Sequence, residues 1–255
     1  MAVIQIGERT AECNGILFDK DGTLLDFMQL WGPWATTILN LTEQRLSELG
    51  TGFSGAREQV LGTRHDHEGR VIAYNPEGPL AMGTAEDTIA ILAWQLYTAG
   101  LPWNEAMTQV RGLADQAMQE LRQSRPVQAL PGLQSFLEDC VRVGVKLAVV
   151  TSDGTREAEE QLEWAGLREY FDLILGYDQV TWGKPHPELA ITASRTLGLH
   201  PEDTILIGDS NGDMQMGRQA GVRLAVGLSP DSGSSSHLAD ADVIIRDYHG
   251  IQVKE

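Results

Sequence analysis

Four consecutive apolar or small positions, Gly15-Ile16-Leu17-Phe18, run straight into Asp19, Asp21 and Gly22. A short run that is apolar on both faces and stops at turn formers predicts a strand buried between two layers. After Asp26 the period lengthens. Trp31, Trp34, Ile38, Leu41, Arg45 and Leu49 recur at helical intervals, with Gly50 as a stop. A short helix is expected over 56–61. Next comes a stretch of turn formers and charge, Gly62 to Arg70 and on through Asn75-Pro76-Glu77-Gly78-Pro79, which predicts a long loop. Thr84 caps a helix whose apolar positions Ile89, Leu92 and Leu96 lead to Gly100, and another helix follows from about 104 to 123.

From Arg125-Pro126 onward the pattern alternates. Helices are expected over 133–143, 155–165, 187–197 and 213–220, and strands over 145–150, 172–175, 204–207, 223–226 and 243–245. Such alternation implies an α/β fold with a doubly wound, mainly parallel sheet, whose ligands bind beyond the carboxyl ends of the strands. Residues 1–26 and 126–255 are expected to form that core, and 27–125 an inserted helical module.

The chemistry collects at those strand ends. Asp19 and Asp21 are two acids one residue apart, an arrangement that resists joint ionisation and invites a cation such as Mg²⁺. The strand ending at Val150 runs into Thr151-Ser152-Asp153-Gly154, where a hydroxyl and free N–H groups at a helix start suit either a phosphate or an ordinary cap. Gly183-Lys184-Pro185-His186-Pro187 holds a lysine in a stiff setting just before a helix. It is either a surface charge or the ammonium that crowded carboxylates and a phosphate require. Gly208-Asp209-Ser210-Asn211-Gly212-Asp213 again ends an apolar strand in acids.

Asp19-x-Asp21-Gly22-Thr23 resembles the first motif of the haloacid dehalogenase superfamily, most of whose members are Mg²⁺-dependent phosphatases. Thr151, Lys184 and the Gly208-Asp209-x-x-x-Asp213 run match its second, third and fourth motifs in order, and the likeness extends from about Gly15 to Val226. The insertion stands where a C1-type cap belongs, which points to the phosphoglycolate phosphatase and β-phosphoglucomutase branch. The resemblance implies that Asp19 is the nucleophile and Asp21 the general acid/base. Asp19, Asp209 and the Asp21 backbone carbonyl would bind Mg²⁺, Thr151, Ser152 and Lys184 would hold the phosphoryl group, and Asp213 would orient Lys184 or a metal-bound water. It also implies that the helical module closes over the site. Lys20 departs from the apolar residue common at its position, which recommends it, with Arg64 and Arg70 of the loop, as a candidate specificity residue. Asp19-Lys20 is also similar to the start of the P-type ion pump motif, but Asp21 stands where those pumps have threonine.

The expected activity is hydrolysis of a small phosphorylated metabolite through an aspartyl phosphate. The alternatives are a phosphomutase on the same core and a phosphate-binding regulator without turnover. A formal charge of −17 over 255 residues argues against a nucleic-acid partner. No apolar run approaches a membrane span, and two cysteines, Cys13 and Cys140, are too few for a disulfide framework. A cytoplasmic monomer or homodimer is expected. Ser229 to Ser236 reads as a surface loop, His65-Asp66-His67 as solvated surface rather than a metal site, and Trp31, Trp34, Trp94 and Trp103 as packing of the helical module or, equally, as rings that stack on a substrate.

Overall fold

The structure, a computed structural model, describes residues 1–230 and 235–255. In chain order its strands are β1 (Ala2–Ile6), β2 (Arg9–Cys13), β3 (Gly15–Phe18), β4 (Thr63–His65), β5 (Val71–Tyr74), β6 (Lys146–Val150), β7 (Leu173–Leu175), β8 (Thr204–Gly208), β9 (Leu224–Leu228), β10 (Val243–Ile245) and β11 (Gln252–Lys254). Its α-helices are α1 (Phe27–Glu48), α2 (Arg57–Leu61), α3 (Pro79–Met82), α4 (Ala85–Thr98), α5 (Trp103–Ser124), α6 (Leu133–Arg142), α7 (Thr155–Trp164), α8 (Glu188–Thr196) and α9 (Asn211–Ala220). The chain divides into two compact units, Met1–Asp26 with Val127–Glu255, and Phe27–Pro126.

The first unit is built on a six-stranded parallel sheet in the order β10-β9-β8-β3-β6-β7. β3 lies between β6 and β8, in register at Phe18↔Val149 and Phe18↔Ile207. Every residue of β3 is buried because both sheet faces are covered. On one face Leu17, Ala148, Val150, Leu206 and Ala225 pack with Leu189, Ala190 and Ala193 of α8 and with Met214 and Met216 of α9. Alternation turns Phe18 to the opposite side. There it meets Phe136 of α6 edge-on at 6.2 Å and Phe171 at 5.9 Å. Fully burying one such side chain is worth about 1.5–3 kcal/mol, so these two layers fix where the strand ends.

A second, antiparallel sheet in the order β11-β1-β2 joins the two ends of the chain. Its β1 alternates buried and half-buried positions, and Gly7, at φ +58°, makes the turn into β2. The sequence reading assigned no element to these strands. Of the serine-rich stretch, residues 231–234 lie outside the described residues. Ser229 is buried, and its N–H donates to Ile245 O at 2.9 Å.

In the second unit α1, α4 and α5 pack together, and Thr84 and Asp87 form a reciprocal capping box at the start of α4. The long loop expected after Gly62 is instead the antiparallel hairpin β4–β5. Its turn is held by Asp66, whose Oδ1 accepts from Glu68 N at 2.9 Å and Arg70 N at 3.0 Å, while Gly69 takes φ +79°. His65 is not solvated: its side chain is 5% exposed and its ring lies 3.0 Å from Thr63 Oγ1. The tryptophans divide. Trp34 is buried and meets Trp31 edge-on at 5.4 Å, whereas Trp94 and Trp103 are 53% and 45% exposed, so these two do not pack the interior. No helix of the described residues is long and apolar enough to cross a membrane.

Candidate active site

Because β3, β6 and β8 are parallel neighbours in register, the residues that follow them emerge side by side at one edge of the sheet. Asp19 continues β3 for one more rung, its N–H donating to Ile207 O at 2.9 Å. Thr151 does the same beyond β6, its N–H donating to Leu175 O at 3.0 Å. Gly22, at φ +76°, then turns the chain back. A β-carbon there would stand 2.0 Å from Asp209 Oδ2, so only glycine admits the approach of that carboxylate.

Asp19, Asp209 and Asp213 each offer a carboxylate oxygen, all within 4.8 Å of one another. Lys184 supplies the local positive charge. Its Nζ donates to Asp19 Oδ1 and lies 2.6 Å from Asp213 Oδ1. Asp213 is held from its other side: Oδ2 accepts from Ser210 N at 3.1 Å and Ser210 Oγ at 2.6 Å, and Ser210 Oγ accepts from Asp213 N in return. That capping box begins α9 and fixes the carboxylate at the same time. Gly208 is required beside it, since a β-carbon would meet Asp213 Cβ at 2.5 Å.

Burial dominates the electrostatics. It raises Asp19, which Lys184 lowers and Asp213 raises again, to a net value of about 6. It raises Asp21, against the pull of Lys20, to about 7. It raises Asp209 well above the carboxylate range, with Asp19 and Asp213 adding to the effect. Burial alone would lower Lys184, but Asp19 and Asp213 more than offset it and keep the ammonium charged.

Asp209 makes no hydrogen bond or ion pair with any described residue. A half-buried carboxylate in that state, beside a second carboxylate and a glycine-cleared approach, fits a hard divalent cation of the Mg²⁺ type. Thr151 is buried, and its Oγ1 accepts from Asp153 N at 3.1 Å, which shapes the turn that carries Ser152 and leads into α7. The arrangement thus combines clustered carboxylates, an ammonium and a buried hydroxyl, groups of the kind that phosphoryl transfer uses.

Asp19, Asp21, Thr151, Ser152, Lys184, Asp209 and Asp213 therefore all belong to the first unit. Arg64 and Arg70 belong to the second. Arg64 is exposed, while Arg70 Nε pairs with Asp66 at 2.8 Å and its NH1 with Glu68 at 3.1 Å. Lys20, expected as a specificity residue, is fully buried and ion-paired with Asp21 and Asp153. Its partners Asp153 and Gln161 were not anticipated. For Asp153 the sequence carried no signal, since a lysine flanked by two acids already has negative charge beside it. For Gln161 there was none either.

The chain is similar to several known proteins. The model of the haloacid dehalogenase-like hydrolases matches residues 91–226, more than half of the chain. A probable phosphatase IndB of Dickeya dadantii is 35% identical over 158 residues, which are 56% of this chain and 66% of that relative. A phosphoglycolate phosphatase of Salmonella typhimurium is 29% identical over 253 residues, 96% of this chain and 93% of its own. Several of the other curated relatives are matched over only 46% to 53% of their own length. Among solved structures, a predicted phosphoglycolate phosphatase from Haemophilus somnus superposes with a TM-score of 0.68 at 20% identity, covering 93% of this chain and 96% of that one. With the four motifs assembled at one sheet edge, the chain belongs to the haloacid dehalogenase-like hydrolase family.

Proposed function

We propose that the protein is a Mg²⁺-dependent phosphatase that hydrolyses a small phosphorylated metabolite through an aspartyl phosphate on Asp19. The observation that carries this reading is the set Asp19, Lys184, Asp209 and Asp213, in which one ammonium faces three carboxylates and the Asp209 carboxylate has no hydrogen bond or ion pair among the described residues. That deficit of positive charge matches a site completed by a divalent cation and then by an anionic ester.

Asp19, Asp209 and the Asp21 backbone carbonyl would hold the cation, which when bound neutralises charge on the phosphoryl oxygens. Asp19 attacks phosphorus as the nucleophile, and the P–O bond to the leaving alcohol breaks. Asp21, whose burial keeps a proton on it near neutral pH, gives that proton to the departing oxygen. Lys184, Thr151 and Ser152 hold the transferring group where charge develops. Asp21 then takes a proton from water as the water attacks phosphorus, and the Asp19–phosphorus bond breaks. The net change is ester plus water to alcohol plus phosphate. The relatives named as phosphatases support this class of substrate.

The test is turnover of 4-nitrophenyl phosphate after metal stripping, with and without added Mg²⁺, by the native protein and by Asp19→Asn. Mg²⁺ should restore activity to the native protein and not to the variant. A brief acid quench of Asp21→Asn, analysed by mass spectrometry, should reveal one phosphate on the peptide containing Asp19. Turnover that survives chelation, or survives Asp19→Asn, overturns the reading.

A further inference from the structure

Between the two acids of the first motif stands a lysine that the reaction above leaves without a task. Lys20 is fully buried at the end of β3, and its ammonium is tied to three other side chains. It donates to Asp21 Oδ1 at 2.6 Å and to Gln161 Oε1, and it lies 3.0 Å from Asp153 Oδ2. These partners come from three separate places: the turn after β3, the turn after β6, and the second turn of α7. Gln161 is itself 1% exposed, which fixes the amide that receives the lysine.

The consequence falls on Asp21. A carboxylate on a strand-end turn has two side-chain torsions free to wander, and an acid that must reach a departing oxygen loses rate steeply when misplaced. Here Oδ1 is anchored, which fixes the plane of the carboxylate. Oδ2 accepts no hydrogen bond from any described residue and is left as the oxygen able to react. A lysine serving only as a counter-charge would be satisfied by Asp153 alone. It would not need a directed hydrogen bond to the acid of the active site, nor a buried amide to hold it there.

We propose that Lys20 is a positioning residue: by anchoring Asp21 Oδ1 it aims Oδ2, which gives a proton to the leaving oxygen in the first step and takes one from water in the second. The inference rests on the acid/base reading of Asp21 and assigns Lys20 no contact with substrate. Both proton transfers depend on the aim of Oδ2. Attack by Asp19 on an ester whose leaving group departs as a stable anion does not.

The experiment separates those steps by leaving group. Wild type, Lys20→Leu, Lys20→Arg, the double variant Lys20→Leu/Asp153→Asn and the reference Asp21→Asn are compared with Mg²⁺ on 4-nitrophenyl phosphate and on glycerol 3-phosphate. The double variant guards against a folding defect, because it removes the carboxylate that Lys20→Leu would leave buried without its counter-charge. Loss of aim should lower kcat on glycerol 3-phosphate about 100-fold with little change in KM. On the aryl ester, 4-nitrophenol should appear in a stoichiometric burst followed by a slow steady phase, and Lys20→Arg should recover part of the loss. Equal losses on both esters without a burst, or wild-type kinetics in the double variant, overturn the inference. If Asp21→Asn shows the burst and the leaving-group preference while the Lys20 variants do not, only the role of Lys20 falls. If Asp21→Asn shows neither, the acid/base reading falls and takes the inference with it.

Discussion

Gly22 and Asp209 approach so closely that a β-carbon on the glycine would sit 2.0 Å from one carboxylate oxygen and 2.6 Å from its Cγ. Two strand ends 187 positions apart are thereby matched in shape: β3 must turn with no side chain where the acid after β8 projects. The same residue is held at φ +76°, a region that costs an L-residue roughly 1–2 kcal/mol. Gly22→Ala should therefore destabilise the protein by at least that amount and push Asp209 aside. Urea denaturation reads the first effect and calorimetric titration with Mg²⁺ the second. Unchanged Mg²⁺ affinity in a folded Gly22→Ala protein would remove Asp209 from the cation site.

Lys184 carries a second prediction. Its side chain is 8% exposed, and those of Asp19 and Asp213 are 9% and 1% exposed, so removing the ammonium strands two buried carboxylates. Lys184→Met, which keeps the length of the side chain, is expected to cost about 3–5 kcal/mol of stability and about 100- to 1,000-fold in kcat through loss of a donor to the phosphoryl group. Adding Asp213→Asn should recover stability without recovering rate. A double variant no more stable than Lys184→Met alone would show that the pair is not coupled as the geometry requires.

Much of this was legible in the sequence, for reasons that differ by element. β3 announced itself because a strand covered on both faces is apolar throughout and its end is marked by acids. The capped helix α4 was visible through Thr84, since a cap is a local signal, whereas the Ser210 cap that starts α9 at Asn211 was not singled out and the helix was expected only from 213. The β4–β5 hairpin was not, because its turn residues Asp66 and Gly69 outweighed three- and four-residue strands too short to show a period. β1 and β2 failed for a related reason: their alternation is clear only once β11, from the far end of the chain, supplies the partner. Helical spacing placed Trp94 and Trp103 on a face but could not say whether anything covers it. The setting of Lys20 was hidden most completely, since Gln161 lies 141 residues away and only the parallel register of β3 and β6 brings it near.

The cysteines provide a third prediction. Cys13 and Cys140 are fully buried free thiols, and burial raises Cys13 to about 11 and Cys140 further still. Neither should be alkylated by iodoacetamide at neutral pH in the native protein, and both should react once it is unfolded, as intact-mass analysis would read. The thiols ionise later in the fold than in the open chain. Their contribution to stability is thus fully present below the unfolded value, roughly 8.5, and is lost as pH rises from there. Rapid labelling of the native protein would contradict the burial.

The last prediction joins the cation site to pH. In the metal-free fold burial holds Asp19 and Asp21 at about 6 and about 7, above their values in an open chain. The folded state therefore binds more protons than the unfolded one across this window, and stability must fall as pH rises through it. That is the reverse of the usual trend for ion-paired carboxylates, and its first cause is burial, to which crowded acids with too little positive charge among them add. A divalent cation supplies what is missing and competes with those protons. In EDTA, Tm should decrease on going from about pH 5 to about pH 8 by more than the cysteines can explain, since thiols do not ionise there. In saturating Mg²⁺ the decrease should flatten, so the Tm gained from Mg²⁺ grows with pH. Thermal scans at a series of pH values with either addition measure this directly. A Mg²⁺ increment independent of pH would mean that the cation does not replace protons on these carboxylates, and would sink the assignment of Asp19 to the metal.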